Sequence, residues 1–172
     1  MCQNAKTRIG FTLIELMIVL VIMGVAAAIA VPMISSAGSM QIRAASNMLA
    51  ADLEYAKSMA ISKGEYFSVV FDKTAETYQI QDETGTVISH PVRKQFDYRV
   101  DFQNESRLNR VDLVDANFDG FSAVTFDYLG SPLCSTPGTL APLNSGVVTL
   151  EAGGITKKVS VEPVTGYITV SD

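Results

Sequence analysis

Three patterns of hydrophobic and polar residues follow one another along the chain. Residues 11–33 carry no charged side chain except Glu15. Residues 40–63 place apolar side chains every three or four positions, which predicts an amphipathic helix. After Gly64 come short alternating runs separated by turn residues, which are typical of strands. This order predicts an α+β fold in which one long N-terminal helix packs on antiparallel β-sheets.

The first pattern is long enough to cross a membrane. Residues 11–33 are 23 residues, or about 35 Å of helix, and a bilayer core is about 30 Å thick. Lys6 and Arg8 precede this run and no acidic residue does. The positive-inside rule therefore predicts a single-pass protein whose N-terminus is cytoplasmic and whose remaining chain lies outside the membrane.

A cleaved secretory signal is the alternative interpretation of the same segment. Small-residue cleavage sites are present at Ala26-Ala27-Ala28 and Ala28-Ile29-Ala30. Against this interpretation, Glu15 lies inside the apolar region and the apolar run continues to Val31. If the signal interpretation holds, the chain is a secreted β-rich domain.

Glu15 is the most informative residue of the N-terminal run. A carboxylate at the centre of a membrane helix costs about 2.5–3.5 kcal/mol and persists where something partners it. Its surroundings are Gly10-Phe11-Thr12-Leu13-Ile14-Glu15-Leu16. This heptapeptide resembles the processing site of type IV prepilins and of the pseudopilins of type II secretion systems.

The resemblance implies a role for three residues. In that family a prepilin peptidase of the inner membrane cuts after the residue that corresponds to Gly10 and methylates the new amino terminus, here Phe11. The resemblance further implies that Glu15 pairs with the terminal amine of a neighbouring subunit during assembly. The alternative is that Glu15 only favours the positive end of the helix dipole, a contribution of about 0.3–1 kcal/mol.

The second pattern defines one apolar face of the amphipathic helix. That face comprises Ala45, Met48, Leu49, Leu53, Ala56, Met59 and Ala60. The polar positions Arg43, Asn47, Glu54 and Lys57 fall largely off it. We expect the apolar face to pack on a sheet and Gly64 to end the helix.

The third pattern predicts nine strands and several tight turns. The strands are predicted at residues 66–71, 77–81, 86–89, 98–102, 111–114, 122–128, 146–152, 155–162 and 167–171. The turns are predicted at residues 72–74, 82–85, 153–154 and 163–166, where Asp, Gly and Pro concentrate. Residues 129–146, which are rich in Pro, Gly, Ser and Thr, read as a long surface loop.

Three downstream segments resemble the GspH/FimT group of minor pilins and pseudopilins. They are residues 54–62, residues 126–132 and the closing hairpin that ends in Gly166-Tyr167-Ile168-Thr169-Val170. Some FimT-like proteins bind DNA through arginines after this glycine, whereas this chain has Tyr167 and Thr169. Lys157 and Lys158 are adjacent on a predicted strand and point to opposite faces, so they form no basic patch. Nucleic-acid binding is therefore not expected, which agrees with a net charge of −5.

Asp115, Asn117 and Asp119 resemble the opening of a calcium loop, followed by Gly120. The closing glutamate of such a loop would fall at Phe126. An Asx-rich turn between two strands explains the same residues without calcium. We expect no cofactor, and calcium is the one candidate, with Asp112 as a further ligand.

Cysteine and histidine usage gives no sign of catalysis. Cys2 precedes the apolar run, and Cys134 becomes an odd thiol if the leader is removed. The single histidine, His90, precedes Pro91 in a polar segment and is expected to be an exposed loop residue. The chain is therefore not expected to be an enzyme.

Together the motifs predict four segments and a structural role. The segments are a leader at 1–10, a transmembrane and assembly helix at 11–33, its amphipathic continuation at 34–64 and a periplasmic β-rich domain at 65–172. The resemblance implies a minor pilin or pseudopilin of a type II secretion pseudopilus or type IV pilus, whose partners are other pilin subunits, prepilin peptidase and the inner membrane. The alternatives are a pilus subunit in adhesion or DNA uptake, and a secreted calcium-binding β domain.

Overall fold

The computed structural model describes residues 12–136 and 139–172. Helix α1 spans Leu13–Lys63 and contains 51 residues. It ends where Gly64 adopts a φ of +70° and donates its amide to the Ala60 carbonyl at 2.9 Å. A glycine in this left-handed conformation is a common helix stop, as the sequence predicts. The chain divides into two compact units between Ala37 and Gly38, so the helix contributes to both.

The second half of α1 buries one face in the core of the second unit. Ala45, Leu49, Leu53, Ala56 and Ala60 are fully buried, and the predicted members Met48 and Met59 are half-buried. The buried face is wider than predicted, because Ile42, Ser46 and Asp52 also lie on it. The predicted amphipathic helix is thereby confirmed.

Ten strands follow the helix. They are β1 (Phe67–Asp72), β2 (Thr77–Asp82), β3 (Arg99–Asp101), β4 (Asp112–Phe118), β5 (Ala123–Phe126), β6 (Pro132–Thr136), β7 (Thr139–Pro142), β8 (Gly146–Ala152), β9 (Ile155–Val161) and β10 (Ile168–Ser171). All pairs between them are antiparallel. The predicted α+β class, a long helix with antiparallel sheets, is therefore confirmed.

The strands form two sheets that share one core with the helix. The six-stranded sheet has the order β3-β2-β1-β5-β6-β7, and the four-stranded sheet has the order β10-β9-β8-β4. Strand β1 alternates buried and half-buried residues from Phe67 to Phe71 and ends at the exposed Asp72, so one face of its sheet points inward. The rings of Phe71 and Phe118, one from each sheet, stack with centroids 5.6 Å apart.

The turn predictions are confirmed, and their chemistry explains the hairpins. Asp72 accepts the amides of Thr74 and Ala75, each at 3.0 Å, between β1 and β2. Gly153 and Gly154, both at positive φ, connect β8 to β9. Hydrogen bonds from backbone amides to the Asp72 carboxylate, and the positive φ that glycine readily adopts, thus form the turns that set the strand registers.

Three strand and loop predictions are wrong. Residues 129–146 are not a surface loop, because β6 and β7 form a hairpin there and extend the six-stranded sheet. Two of the prolines that suggested a loop, Pro132 and Pro142, lie at the ends of these strands, where a missing amide donor is tolerated, and Pro137 lies outside the described residues. Residues 86–89 make only isolated bridges, from Val87 and Ser89.

The third error concerns the predicted turn after residue 114. Strand β4 continues to Phe118, with a bulge between Leu113 and Asp115, so Asp115 and Asn117 lie in a strand. The turn itself is confined to Asp119 and Gly120, which have φ values of +53° and +94°. An Asp-Gly pair at positive φ is the usual chemistry of a two-residue hairpin turn.

Candidate functional site at the N-terminal helix

The first turn of α1 contains Glu15, the residue to which the sequence assigns an assembly role. The Glu15 amide donates to the Thr12 carbonyl at 3.1 Å and to the Thr12 hydroxyl at 3.3 Å. Thr12 therefore acts as the helix cap, with glutamate three positions later, the spacing of a capping box. Gly10 and Phe11, the predicted processing site, lie outside the described residues.

The surface around Glu15 is apolar on every side of the helix. Eleven large apolar side chains between Leu13 and Val25 are 45% to 77% exposed. They are Leu13, Ile14, Leu16, Met17, Ile18, Val19, Leu20, Val21, Ile22, Met23 and Val25. A helix that is apolar all round is normally covered by lipid or by other helices. Within the described part of the chain, none of these side chains is buried.

The Glu15 carboxylate also makes no contact with another charged group in the ranges that the structure describes. Among the described residues it has no hydrogen-bond or ion-pair partner. Glu15 lies in the first turn of α1, the position at which the helix-dipole alternative places its charge, and its amide is held by Thr12.

Among the residues that the structure describes, no helix is both long enough and apolar enough to cross a membrane.

A buried carboxylate that the sequence did not reveal lies further along α1. Asp52 accepts a hydrogen bond from the Tyr78 hydroxyl at 2.6 Å and one from the Tyr98 hydroxyl at 2.8 Å. Burial raises the pKa of Asp52, and the two hydroxyl donors and nearby His90 partly offset that rise. Burial and the adjacent carboxylate in turn raise the pKa of both tyrosines. The cluster joins the helix to β2 and to the residue before β3.

The position of Asp52 in the sequence does indicate a buried carboxylate. Asp52 lies three residues after Leu49 and next to Leu53, so it falls within the apolar face of the helix. A charged residue at such a position predicts a buried polar partner. Both carboxylate oxygens of Asp52 accept hydrogen bonds from side chains of the protein, so the residue has a structural role and requires no ligand.

His90 is half-buried, whereas the sequence suggested an exposed loop residue. Its ring stacks on Tyr98 with centroids 4.8 Å apart, and its Nδ1 accepts the amides of Val92 and Arg93, each at 3.2 Å. These contacts fix the loop between β2 and β3. Because Nδ1 is occupied by two donors, the residue has the environment of a structural histidine.

The calcium candidates do not converge on a common point. Asp119 uses both carboxylate oxygens to accept the amides of Asn144 and Ser145, at 2.7 and 3.0 Å. Asn117 accepts the amide of Gly120 at 2.8 Å. No group of three or more His, Cys, Asp or Glu residues in the described ranges is arranged to hold a metal ion. These hydrogen bonds hold the turn at Asp119 and Gly120 and tie the end of β4 to the residues before β8.

Cys134 is a buried free thiol in β6. Its Sγ lies 3.5 Å from the Ala141 carbonyl of β7. The side chain packs in the core, where a free cysteine behaves as a small hydrophobic residue.

Comparison with known proteins gives one sequence match, at the N-terminus, and several matches to solved structures. The family of the prokaryotic N-terminal methylation motif matches residues 6–31. No curated protein matches the sequence significantly.

Two similar solved structures are a minor pilin and a minor pseudopilin. The type IV minor pilin FimU of Pseudomonas aeruginosa is 20% identical, with 76% of this chain and 92% of that chain aligned at a TM-score of 0.49. The minor pseudopilin EpsH from the type 2 secretion system of Vibrio cholerae is 10% identical, with 75% and 94% aligned at a TM-score of 0.49. Of these similarities, the sequence match is the specific one: the chain carries a prokaryotic N-terminal methylation motif at residues 6–31.

Proposed function

We propose that this protein is a minor pilin or pseudopilin, a structural subunit that joins a filament through its N-terminal helix. The observation that carries the proposal is the methylation motif at residues 6–31, which includes the exposed apolar start of α1 and its single carboxylate, Glu15. In this role, prepilin peptidase cuts after Gly10 and methylates Phe11. The protein is a substrate of this chemistry and performs no catalysis itself.

Cleavage creates the partner that Glu15 lacks. The new terminus at Phe11 is an α-amino cation, and a carboxylate in apolar surroundings gains most from a nearby opposite charge. Leaving one member of such a pair buried without its partner is strongly unfavourable, by about 3–5 kcal/mol. Pairing between the Phe11 amine of one subunit and Glu15 of its neighbour therefore favours a fixed register between helices.

The apolar run at residues 11–33 also serves as the membrane anchor before assembly. Its length and the preceding Lys6 and Arg8 support a single pass with a cytoplasmic N-terminus and a periplasmic β-rich domain. Lipid and neighbouring helices are alternative covers for the same exposed side chains. The subunit can thus pass from the inner membrane into a filament without exposing its helix to water.

The processing step is tested by the mature N-terminus. Mass spectrometry of the protein from its native host is expected to find a chain that begins with N-methylated Phe11. Gly10→Ala is expected to leave the full-length precursor in the membrane, with Gly24→Ala as a matched control that is processed normally. A mature chain that begins near Val31 would show instead that an ordinary signal peptide is removed.

The assembly step is tested at Glu15. Glu15→Leu is expected to leave processing and membrane insertion intact and to abolish incorporation into filaments, because the amine of the neighbouring subunit loses its partner. Glu15→Asp keeps the charge and is expected to retain most of the incorporation. Normal incorporation of Glu15→Leu would remove the assembly role. Complementation of a secretion-deficient and of a pilus-deficient host with the wild-type gene distinguishes the pseudopilus from the pilus.

A further inference from the structure

His90 holds the loop between β2 and β3 through a ring nitrogen that accepts hydrogen bonds only while the ring is neutral. Its Nδ1 accepts the backbone amides of Val92 and Arg93, each at 3.2 Å. A neutral imidazole has one nitrogen that accepts and one N–H that donates, whereas a protonated imidazole donates from both nitrogens. The two amide bonds therefore require a neutral ring with its proton on Nε2.

The same ring covers the buried cluster at the helix. Tyr98 is 5% exposed, and the ring of His90 stacks on it with centroids 4.8 Å apart. Tyr55 of α1 stacks on the same tyrosine with centroids 5.4 Å apart. Because the Tyr98 hydroxyl donates to Asp52 at 2.8 Å, the position of His90 is tied to the buried face of the helix.

Charged groups surround the His90 ring. A cleft of about 170 Å³ beside it gives the ring room to turn. The cleft is lined by Met48 and Asp52 of α1, Arg93 of the loop, Arg99 and Val100 of β3, and Glu105, and the cleft next to it adds Asp97 and Asp101. The arginines oppose a positive charge on the ring, whereas the carboxylates favour it. Neither supplies the amides of residues 92 and 93 with a new acceptor, so protonation removes both amide bonds in either case.

We propose that His90 is a pH-sensitive latch, whose neutral ring holds residues 91–93 against it and whose protonation releases them. Histidine is the side chain whose charge ordinarily changes between pH 5 and pH 8, so the loop is closed at pH 8 and released at pH 5. This inference concerns the second unit alone and does not depend on the proposed function.

The released segment carries exposed apolar side chains. Val92 is 84% exposed and Phe96 is 65% exposed. The Phe96 amide donates to the Arg93 carbonyl at 2.9 Å, so Phe96 follows Arg93 when the latch opens. Acid therefore changes how the unit presents two apolar side chains next to β3.

Nuclear magnetic resonance of the untagged, full-length protein in mild detergent tests the latch. The chain contains a single histidine, so the signals of its imidazole are assigned without ambiguity. Between pH 8 and pH 5 we expect the amide shifts of Val92 and Arg93 to change with the same midpoint as the ring nitrogens. Hydrogen exchange of these two amides, corrected for the intrinsic effect of pH, is expected to rise about tenfold as their bonds are lost. Amides that keep their shifts and protection while the ring titrates would overturn the proposal, as would a ring that stays neutral at pH 5.

Two variants separate the latch from a general effect of acid. In His90→Asn the side-chain oxygen accepts the same amides, as in an Asx turn, but does not titrate. We expect this variant to keep both amides protected at pH 8 and at pH 5. His90→Lys places a cation without an acceptor at the same position and is expected to show the released amides already at pH 8.

The amides of β8, in the other sheet, report whether each variant remains folded. They are expected to keep their shifts in the wild type and in both variants, since the latch acts on residues 91–96 alone. If His90→Asn showed the same rise in exchange on acidification as the wild type, the effect would belong to other groups and the latch would be wrong. Protected amides at pH 8 in His90→Lys would overturn it as well.

Discussion

The two halves of helix α1 are built from similar residues but have opposite surroundings. Between Leu13 and Val25 the large apolar side chains are exposed all round the axis. Between Ile42 and Ala60 the apolar side chains lie on one face and are fully buried against the sheets. The second half is buried within its own unit, whereas no large apolar side chain between Leu13 and Val25 is buried in the described part of the chain. Hydrophobicity alone does not distinguish these cases; the presence of a polar face does.

The largest expected effect is a difference in protein stability between substitutions in the two halves of α1. Leu49→Ala is expected to lower the free energy of unfolding by about 2–5 kcal/mol, because it leaves a cavity in a packed core. Leu20→Ala, at a side chain that is 68% exposed, is expected to change it by less than about 0.5 kcal/mol. Urea unfolding of the full chain in mild detergent, followed by the near-ultraviolet circular dichroism of the tyrosines, measures both. Equal losses would mean that the first half also packs within the chain.

The next effect tests the polar link inside the buried half. Asp52→Ala leaves the hydroxyls of Tyr78 and Tyr98 without their acceptor, and a buried unsatisfied group costs about 1–3 kcal/mol. We expect a loss of about 2 kcal/mol in the same unfolding experiment. Glu54→Ala, on the exposed side of the helix, removes an ion pair with N···O at 3.8 Å and is expected to cost less than about 1 kcal/mol. A loss at Asp52 no larger than that at Glu54 would contradict a structural role for the cluster.

The comparison also shows what sequence patterns can predict. Periodicity located the buried face of α1 and gave β8 its correct bounds, because both depend on local spacing of apolar residues. Glycine and aspartate marked the turns because their backbone preferences are local. The fold class followed from these elements.

Features that depend on distant partners were missed. Asp52 is acceptable in the core only because Tyr78 and Tyr98, 26 and 46 residues away, donate to it. The β6–β7 hairpin was missed because its composition resembles a loop, while its strands gain stability from pairing with β5. At the candidate site the motif predicted that Glu15 pairs with the amine of a neighbouring subunit, a contact between chains that stays a prediction.

The smallest effect is a pH dependence that is specific to the buried half. Burial raises the pKa of Asp52 above its unfolded value, so the folded state holds the proton more tightly than the unfolded state does. This contribution is fully present below the unfolded pKa and is lost as the pH rises through the folded pKa. Relative to Asp52→Asn, which cannot titrate, the wild type should therefore gain stability as the pH falls from neutral toward 4. One proton limits the gain to about 1.4 kcal/mol per pH unit.

Comparison with Asp52→Asn cancels a pH dependence of stability that has the opposite sign and arises elsewhere in the protein. Hydrogen bonds from neighbouring side chains and backbone amides lower the pKa of Asp82 and Asp101, so acidification weakens these surface contacts in both proteins. Urea unfolding of both proteins between pH 7.5 and pH 4.5 gives the difference between them at each pH. A difference that stays constant would mean that folding leaves the pKa of Asp52 unchanged. A difference that shrinks on acidification would mean that the two tyrosines stabilise Asp52 as an anion, and the link from helix to sheet would then be a charged one.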